Sequence, residues 1–317
     1  MIKIIQYTPN QQNIWDILVS RSKNSFFQFY RDYMGYHSDR FHDNSLLFFN
    51  KTKLVALLPA NLKDSTLYSH QGLTFGGFVL EENVSTELFI NILSSLVDYL
   101  KEKKIHSFYY KILPSFYCKR PSEEILYALF QSGAKVVRSE LSTTINLLNR
   151  GPISTRRKRS YHKAQKAGLV FKETDDFESF WEILESQLKE KYKTKPTHTL
   201  QEIVSLQKKF SQNIKLYGAY KDNKLLAGVV MYTNDSVAHA QYISSSQEGM
   251  HCNALDGLFE YLIRHYSDLE SFRYFDFGIS TENSGKNLNH GLIKFKEEFG
   301  GSGHVHITLL LSTKYQN

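Results

Sequence analysis

Asp276 invites a chemical reading first, because it is an acid inside an apolar run, Phe272 to Ile279. The run reads as a buried strand with Gly278 near its end. A carboxylate there serves as a base or pairs with a core arginine. The polar stretch that follows, Ser280 to Asn289, holds Ser280, Thr281 and a second acid, Glu282, either a rival base or a solvated charge. A strand that ends in polar loop residues and feeds a helix is a common way for α/β proteins to build a ligand site. The helix expected here carries Leu292, Phe295 and Phe299 on one face, and Gly300-Gly301 stops it.

A second such unit lies just upstream. Ser236 to Ser244 alternates as a strand, and a loop of small and polar residues, from Ser244 and Ser245 through Gly249, Met250, His251, Cys252 and Asn253 to Ala254, leads into a helix. Its apolar face is Leu255, Leu258, Phe259, Leu262 and Ile263. Unpaired N–H groups at the start of such a helix suit phosphate. Further back, Arg156-Arg157-Lys158-Arg159 with Lys163 and Lys166 concentrates positive charge. Arginine's planar fork suits a diphosphate, and a solvated basic helix face is the alternative. His70 lies on a loop before Gly76-Gly77, where backbone can approach a ligand closely. His304 and His306 alternate along a final strand with no third ligand at useful spacing, so no metal is expected.

The elements that position these residues repeat. The chain has 317 residues, enough for two domains with separate cores, and 41% hydrophobic with 14% aromatic residues makes it globular. Two cysteines, Cys118 and Cys252, fit a reducing compartment. Met1 to Tyr7 reads as a strand rather than a signal peptide, and no apolar run reaches membrane-span length, so a cytoplasmic protein is expected. The net charge of +7 is concentrated in the one basic segment, which favours a compact polyanion over nucleic acid as partner. Lys53 to Leu58 followed by Asp64 to Tyr68 has a counterpart in Lys224 to Val229 followed by Asp235 to His239. Trp15 to Leu18 parallels Trp181 to Leu184, and Ser107 to Tyr110 parallels Arg273 to Asp276. Matched landmarks in one order indicate two copies of an α/β unit. Arg150-Gly151-Pro152 punctuates the chain, so the domains are expected at residues 1–150 and 151–317.

The paired strand–loop–helix units resemble the acyl-CoA site of the GNAT acyltransferases in part: of that family's Gln/Arg-x-x-Gly-x-Gly/Ala cradle only Gly249 and Ala254 survive, at a different spacing. The tandem arrangement, with Gly291 to Gly301 at its end, resembles the FemAB-like branch. Ser69 to Gly77, Phe277 to Glu282 and Lys111 to Glu124 are similar to the N-acyltransferases of nucleotide-linked amino sugars in O-antigen or capsule synthesis. The resemblance implies two tandem GNAT-like domains with mixed central sheets, acyl-CoA on the second domain and the acceptor in a cleft between them. It implies transfer of an acetyl or 3-hydroxybutyryl group from acyl-CoA to the amine of a dTDP-linked amino-deoxyhexose, without metal. The donor would then meet Ser244, Ser245, Gly249 to Ala254, Asn289 and Lys294. The acceptor would meet Tyr33, Tyr36, His37, Arg40, Thr74, Phe75, Gly76, Arg156, Arg157, Arg159, Ser280 and Thr281. His70, Asp276 or Glu282 would take the proton from the amine, His70 because an imidazole can do so near neutral pH; a histidine that only binds the sugar is the alternative. Cys252 reads as a cradle residue, since an amine attacks a thioester without an enzyme nucleophile. The alternatives are a FemAB-like aminoacyl transferase using aminoacyl-tRNA on a cell-wall precursor, and a non-catalytic protein that binds acyl-CoA or nucleotide sugar.

Overall fold

The computed structural model describes residues 2–313, which form two compact units. The first comprises the chain up to Glu140 together with the stretch from Val305 onward, and the second runs from Leu141 to His304. The boundary expected at Gly151 is therefore displaced, and the chain's last strand returns to the first unit. The cause is strand pairing, which local punctuation does not report: Ser142, Thr144, Ile145 and Asn146 pair within the second unit, and Thr308 to Ser312 pair within the first.

The first unit opens with β1 (Ile2–Gln6), α1 (Gln12–Arg21) and α2 (Arg31–Met34). Then come β2 (Leu46–Asn50), β3 (Lys53–Leu58), β4 (Asn61–Lys63), β5 (Thr66–Tyr68) and β6 (Val79–Leu80). It continues through α3 (Thr86–Glu102), β7 (Ser107–Lys111), α4 (Glu124–Gln131) and the start of β8 (Lys135–Asn146). One sheet has the order β1-β2-β3-β6, and β4-β5-β7 lie side by side in another. Ser85 caps α3 by accepting from Leu88 N–H, and the helix buries Phe89, Ile92, Leu93, Leu96 and Leu100 against Phe48, Ala56, Phe108 and Tyr110.

The second unit takes in the end of β8, then α5 (Thr155–Lys166), β9 (Val170–Thr174), α6 (Phe177–Tyr192) and α7 (Leu200–Lys209). A meander of β10 (Ile214–Lys221), β11 (Lys224–Thr233) and β12 (Val237–Ser245) leads to α8 (Gln247–His251) and α9 (Ala254–Asp268). Next are β13 (Tyr274–Ile279), a small hairpin of β14 (Thr281–Glu282) and β15 (Asn287–Leu288), and α10 (His290–Glu297). β16 (Ser302–Ser312) carries the chain back to the first unit, where it pairs with β7. The sheet order here is β8-β13-β12-β11-β10-β9, antiparallel except for β12 beside β13. Leu258, Phe259, Leu262, Ile263 and Tyr266 of α9 pack on Val229, Met231, Ala238, Ala240, Phe275 and Phe277. In α10 the buried residues are Ile293 and Lys296, with Phe299 just beyond, while Leu292 is exposed. A lysine thus takes a place the apolar pattern assigned to leucine. Among the described residues no helix is long and apolar enough to cross a membrane.

Candidate active site

The second unit's sheet opens where β12 and β13 part. They pair in parallel at Val237↔Tyr274, Ala238↔Phe275 and His239↔Asp276, and beyond that point β12 continues to Ser245 against β11 alone. Two irregularities bend the strands at this place. The β11–β12 register shifts between Val230 and Met231, and the β13–β8 register shifts after Asp276, where Gly278 adopts φ +75°. The result is a fork, one of whose edges is the side of β12 that no strand covers.

His239 and Asp276 form the floor of the fork. His239 Nδ1 lies 2.9 Å from Asp276 Oδ2. The other carboxylate oxygen accepts from Ser142 Oγ at 2.6 Å, Thr144 Oγ1 at 3.2 Å and Gly278 N–H at 3.0 Å. Asp276 is fully buried, and this ring of donors compensates the lost hydration of its carboxylate. Its partner is therefore a histidine and two hydroxyls rather than the arginine considered from sequence. The carboxylate can only accept, so His239 donates from Nδ1–H, which orients the ring and leaves Nε2 as its second nitrogen. Lys296 closes the fork's other wall, donating to the carbonyls of Gly278 at 2.8 Å and Ile279 at 2.7 Å. Burial pushes its pKa down to about 8, against the opposing pull of Asp276.

The remaining expected residues of this unit are distributed differently. Glu282 is exposed on the β14–β15 hairpin and accepts from Asn289 Nδ2 at 3.0 Å. Asn289 is the N-cap of α10, accepting from Leu292 N–H, and Lys294 is exposed. Ser280 is buried, its Oγ without a hydrogen-bond partner, and Thr281 is half-buried. The Ser244–Ala254 loop contains the extra helix α8. Gly249 N–H donates to Ser246 Oγ, and a Cβ at Gly249 would lie 2.4 Å from Leu226 O. Gly249 is thus a packing glycine whose N–H is already used, a correction to its place as a phosphate ligand. Ser244 Oγ donates to Gln187 Oε1, Ser245 Oγ to Leu226 O, and Ala254 is fully buried. Asn253 adopts φ +57°, His251 Nδ1 meets Gln247 O, and Met250 is exposed. Burial raises the Cys252 thiol pKa, which disfavours the thiolate a nucleophile needs.

Arg157 also departs from expectation. It is 3% exposed, ion-paired with Asp256 and with Glu298 at 3.1 Å, and its guanidinium lies 4.0 Å from the Phe295 ring centroid. It locks α5 onto α9 and α10, whereas Arg156 and Arg159 are exposed.

In the first unit β5 and β7 make the corresponding parallel pair, Thr66↔Ser107, Leu67↔Phe108 and Tyr68↔Tyr109. Here the chain's own loop fills the opening. Ser69 N–H donates to Tyr109 O and Lys111 N–H to Ser69 Oγ; Lys111 Nζ donates to Leu73 O at 2.6 Å, and Phe78 N–H to Tyr110 Oη. His70, at φ +69°, turns the chain into this loop, 3% exposed and stacked on His37 at 4.9 Å. Burial, with the His37 ring beside it, pushes its pKa down to about 3. So buried and so placed, His70 packs within the loop, and the lowered basicity disfavours the proton acceptance expected of it. Tyr33, His37, Phe75 and Gly76 are buried, and Tyr36 and Thr74 half-buried; Arg40 alone of the expected acceptor residues in this unit is exposed.

Sequence reasoning missed His239, Ser142 and Thr144 as site residues and gave Lys296 no role. A usable signal existed in His239, an imidazole in an otherwise uncharged strand opposite a buried acid.

The comparisons with known proteins agree with this architecture. Residues 154–287, which include the fork's two strands β12 and β13, match the family model described as Acetyltransferase (GNAT) domain. No curated protein matches the chain. Among solved structures, FemX superposes with a TM-score of 0.68 at 10% identity, covering 98% of this chain and 97% of that one. L-PGS from Bacillus licheniformis does so at 0.64 and 13% identity, covering 98% and 94%. A tandem GNAT protein from the clavulanic acid biosynthesis pathway gives 0.52 at 12% identity, with 100% of both chains covered. The protein has a GNAT α/β fold with mixed sheets, and its structural neighbours include tandem GNAT and FemX proteins.

Proposed function

We propose that the chain is an N-acyltransferase, moving an acyl group from acyl-CoA to the amine of a small acceptor, a dTDP-linked amino-deoxyhexose. The observation that carries the reading is the His239–Asp276 pair at the floor of the fork, inside the stretch similar to acetyltransferase domains. A neutral amine that attacks a thioester carbonyl must shed one proton as the amide forms. His239 takes that proton on Nε2, while Asp276 holds the ring's orientation and stabilises the imidazolium. The new bond joins the amine nitrogen to the acyl carbon, the carbon–sulfur bond breaks, and the proton passes from His239 to the departing thiolate. The uncovered edge of β12 supports the amide-bearing arm of the donor, which can pair with backbone as an added strand does.

A second reading is favoured by a different feature. The cavity of about 270 Å³ beside Ser245, Ser246 and Gln247 is lined by Glu182 and Glu190, with Lys191 as its cation. Together with the occupied Gly249 N–H, that lining suits an ammonium group better than a pyrophosphate. An aminoacyl donor carries such a group, so FemAB-like aminoacyl transfer is the alternative. Mass spectrometry of reactions pairing amino-sugar nucleotides with several acyl-CoAs, and separately with aminoacyl-tRNA, decides between them. Acylated sugar lost in His239→Gln is the expected result. Product formed from aminoacyl-tRNA alone supports the alternative, and no product from either donor overturns both.

A further inference from the structure

We infer that the groove between α5 and α9 is a binding site for a phosphate or pyrophosphate group of a small ligand, whatever reaction the fork carries out. A cavity of about 360 Å³ opens there, lined by Arg157, Lys158, Tyr161, His162, Glu260 and Arg264 among others. Arg157 is buried and fixed in the wall by Asp256, Glu298 and the Phe295 ring, yet its Nη2 has no hydrogen-bond partner. Arg157 therefore contributes a fixed positive charge to the wall, while the exposed cations of the rim are the groups that can donate directly to an anionic oxygen. Lys158 and His162 lie one turn apart on α5 and are exposed. Across the groove, Arg264 is 60% exposed with its guanidinium 5.0 Å from the Tyr161 ring.

The acids of this region are taken up by arginines, Arg157 and Arg264 of the groove among them. Glu260 is held by both Arg150 and Arg264, Asp256 by Arg157, and Glu298 by Arg157 and Arg156. Among the described residues Lys158, Arg159, Lys163 and Lys166 form no ion pair, so α5 keeps a surplus of positive charge beside the groove. Lys158 lines the cavity, whereas Arg159, Lys163 and Lys166 are not among its lining residues.

The test is calorimetric titration of the full chain with inorganic pyrophosphate, dTDP and CoA. Pyrophosphate should bind, and Lys158→Gln with Arg264→Gln should weaken it at least about tenfold, as expected for losing charge-assisted hydrogen bonds. Both side chains are exposed, so an unchanged melting temperature identifies a folded variant. Arg159→Gln with Lys166→Gln should leave affinity within about twofold if the groove, not overall charge, is responsible. dTDP binding that depends on the groove names an acceptor nucleotide as source; CoA binding that depends on it names the donor. Failure of wild-type protein to bind pyrophosphate overturns the site. So does equal weakening by the two double variants, or salt-sensitive binding of an RNA hairpin without pyrophosphate binding.

Discussion

The two units build the same fork and treat it in opposite ways. In each, two parallel strands pair over three positions and then separate, β5 with β7 and β12 with β13. The last pair is Tyr68↔Tyr109 in the first unit, with rings 5.2 Å apart, and His239↔Asp276 in the second. Beyond it, the first unit inserts its own Ser69–Gly77 loop, whose Leu73 carbonyl accepts from Lys111 Nζ and whose Gln71 and Thr74 amides donate to Asn61 and Gln28, while Ser69 Oγ accepts from Lys111 N–H. The second continues β12 to Ser245. One fork has become a structural joint, while the other retains a titratable pair and an uncovered strand edge. The difference teaches that repeated topology locates equivalent positions, and side-chain chemistry decides which of them can work.

The comparison breaks most directly at its floor residues. His239→Gln should lower kcat by about 10²–10⁴-fold, because a positioned base is lost while Asp276 keeps Ser142, Thr144 and Gly278. Tyr68→Phe at the equivalent place in the first unit should change kcat less than about twofold. Steady-state kinetics on both variants, with KM recorded separately, checks the contrast; equal losses would mean that the first fork also takes part in the chemistry.

Opening the plugged fork should cost stability instead. A Cβ at Gly76 would lie 1.9 Å from Ser69 O, a backbone atom that cannot turn away. Gly76→Ala should therefore destabilise the protein by about 3 kcal/mol in urea unfolding, as overpacking does. The activity of the remaining folded fraction should be little changed.

Lys296 provides a pH signature confined to the open fork. Its folded-state pKa of about 8 lies below the ordinary lysine value of 10.5, so between these values the unfolded chain binds more protons. Stability should rise with pH across that window and be lower below it. Lys296→Met should remove the rise, a difference of order 3 kcal/mol between the two stability–pH curves. Parallel curves for wild type and variant would show that Lys296 has no such perturbation.

Much of this arrangement was legible in the residues. The matched landmarks fall on matched elements, Trp15 and Trp181 on helices α1 and α6 and the others on strands. Asp276 announced itself as an acid in an apolar run. The return of β16 to the first unit left no local trace, because a strand's partner is chosen by contacts far away in sequence. The same is true of His239, whose acid lies 37 residues on. Arg157 was hidden among exposed cations, although its spacing of seven from buried Ala164 places both on one helix face. The plugging of the first fork was equally opaque, since Gly76 and Gly77 read as room for a ligand when they make room for the chain itself.

Gly278 offers the finest distinction between the forks. Its φ of +75° suits glycine, and a Cβ there would lie 3.3 Å from His239 Cε1, tight enough to make the ring give by a few tenths of an ångström. Gly278→Ala should cost about 1–2 kcal/mol of stability for the left-handed backbone. The more informative effect is on His239. Its Nδ1 hydrogen bond to Asp276 fixes the ring, so under the proposed function a small push at Cε1 would turn Nε2 away from the acceptor amine without removing the base. The expected loss in kcat is about tenfold, well short of His239→Gln, with KM nearly unchanged. Gly77 adopts φ +103° in the closed fork, beside Tyr110, and Gly77→Ala should cost stability without that kinetic effect. Thermal melts with kcat measured on both alanine variants test the pairing. A kcat loss in Gly77→Ala equal to that in Gly278→Ala would erase the distinction, because strain alone, rather than the position of His239, would then account for both.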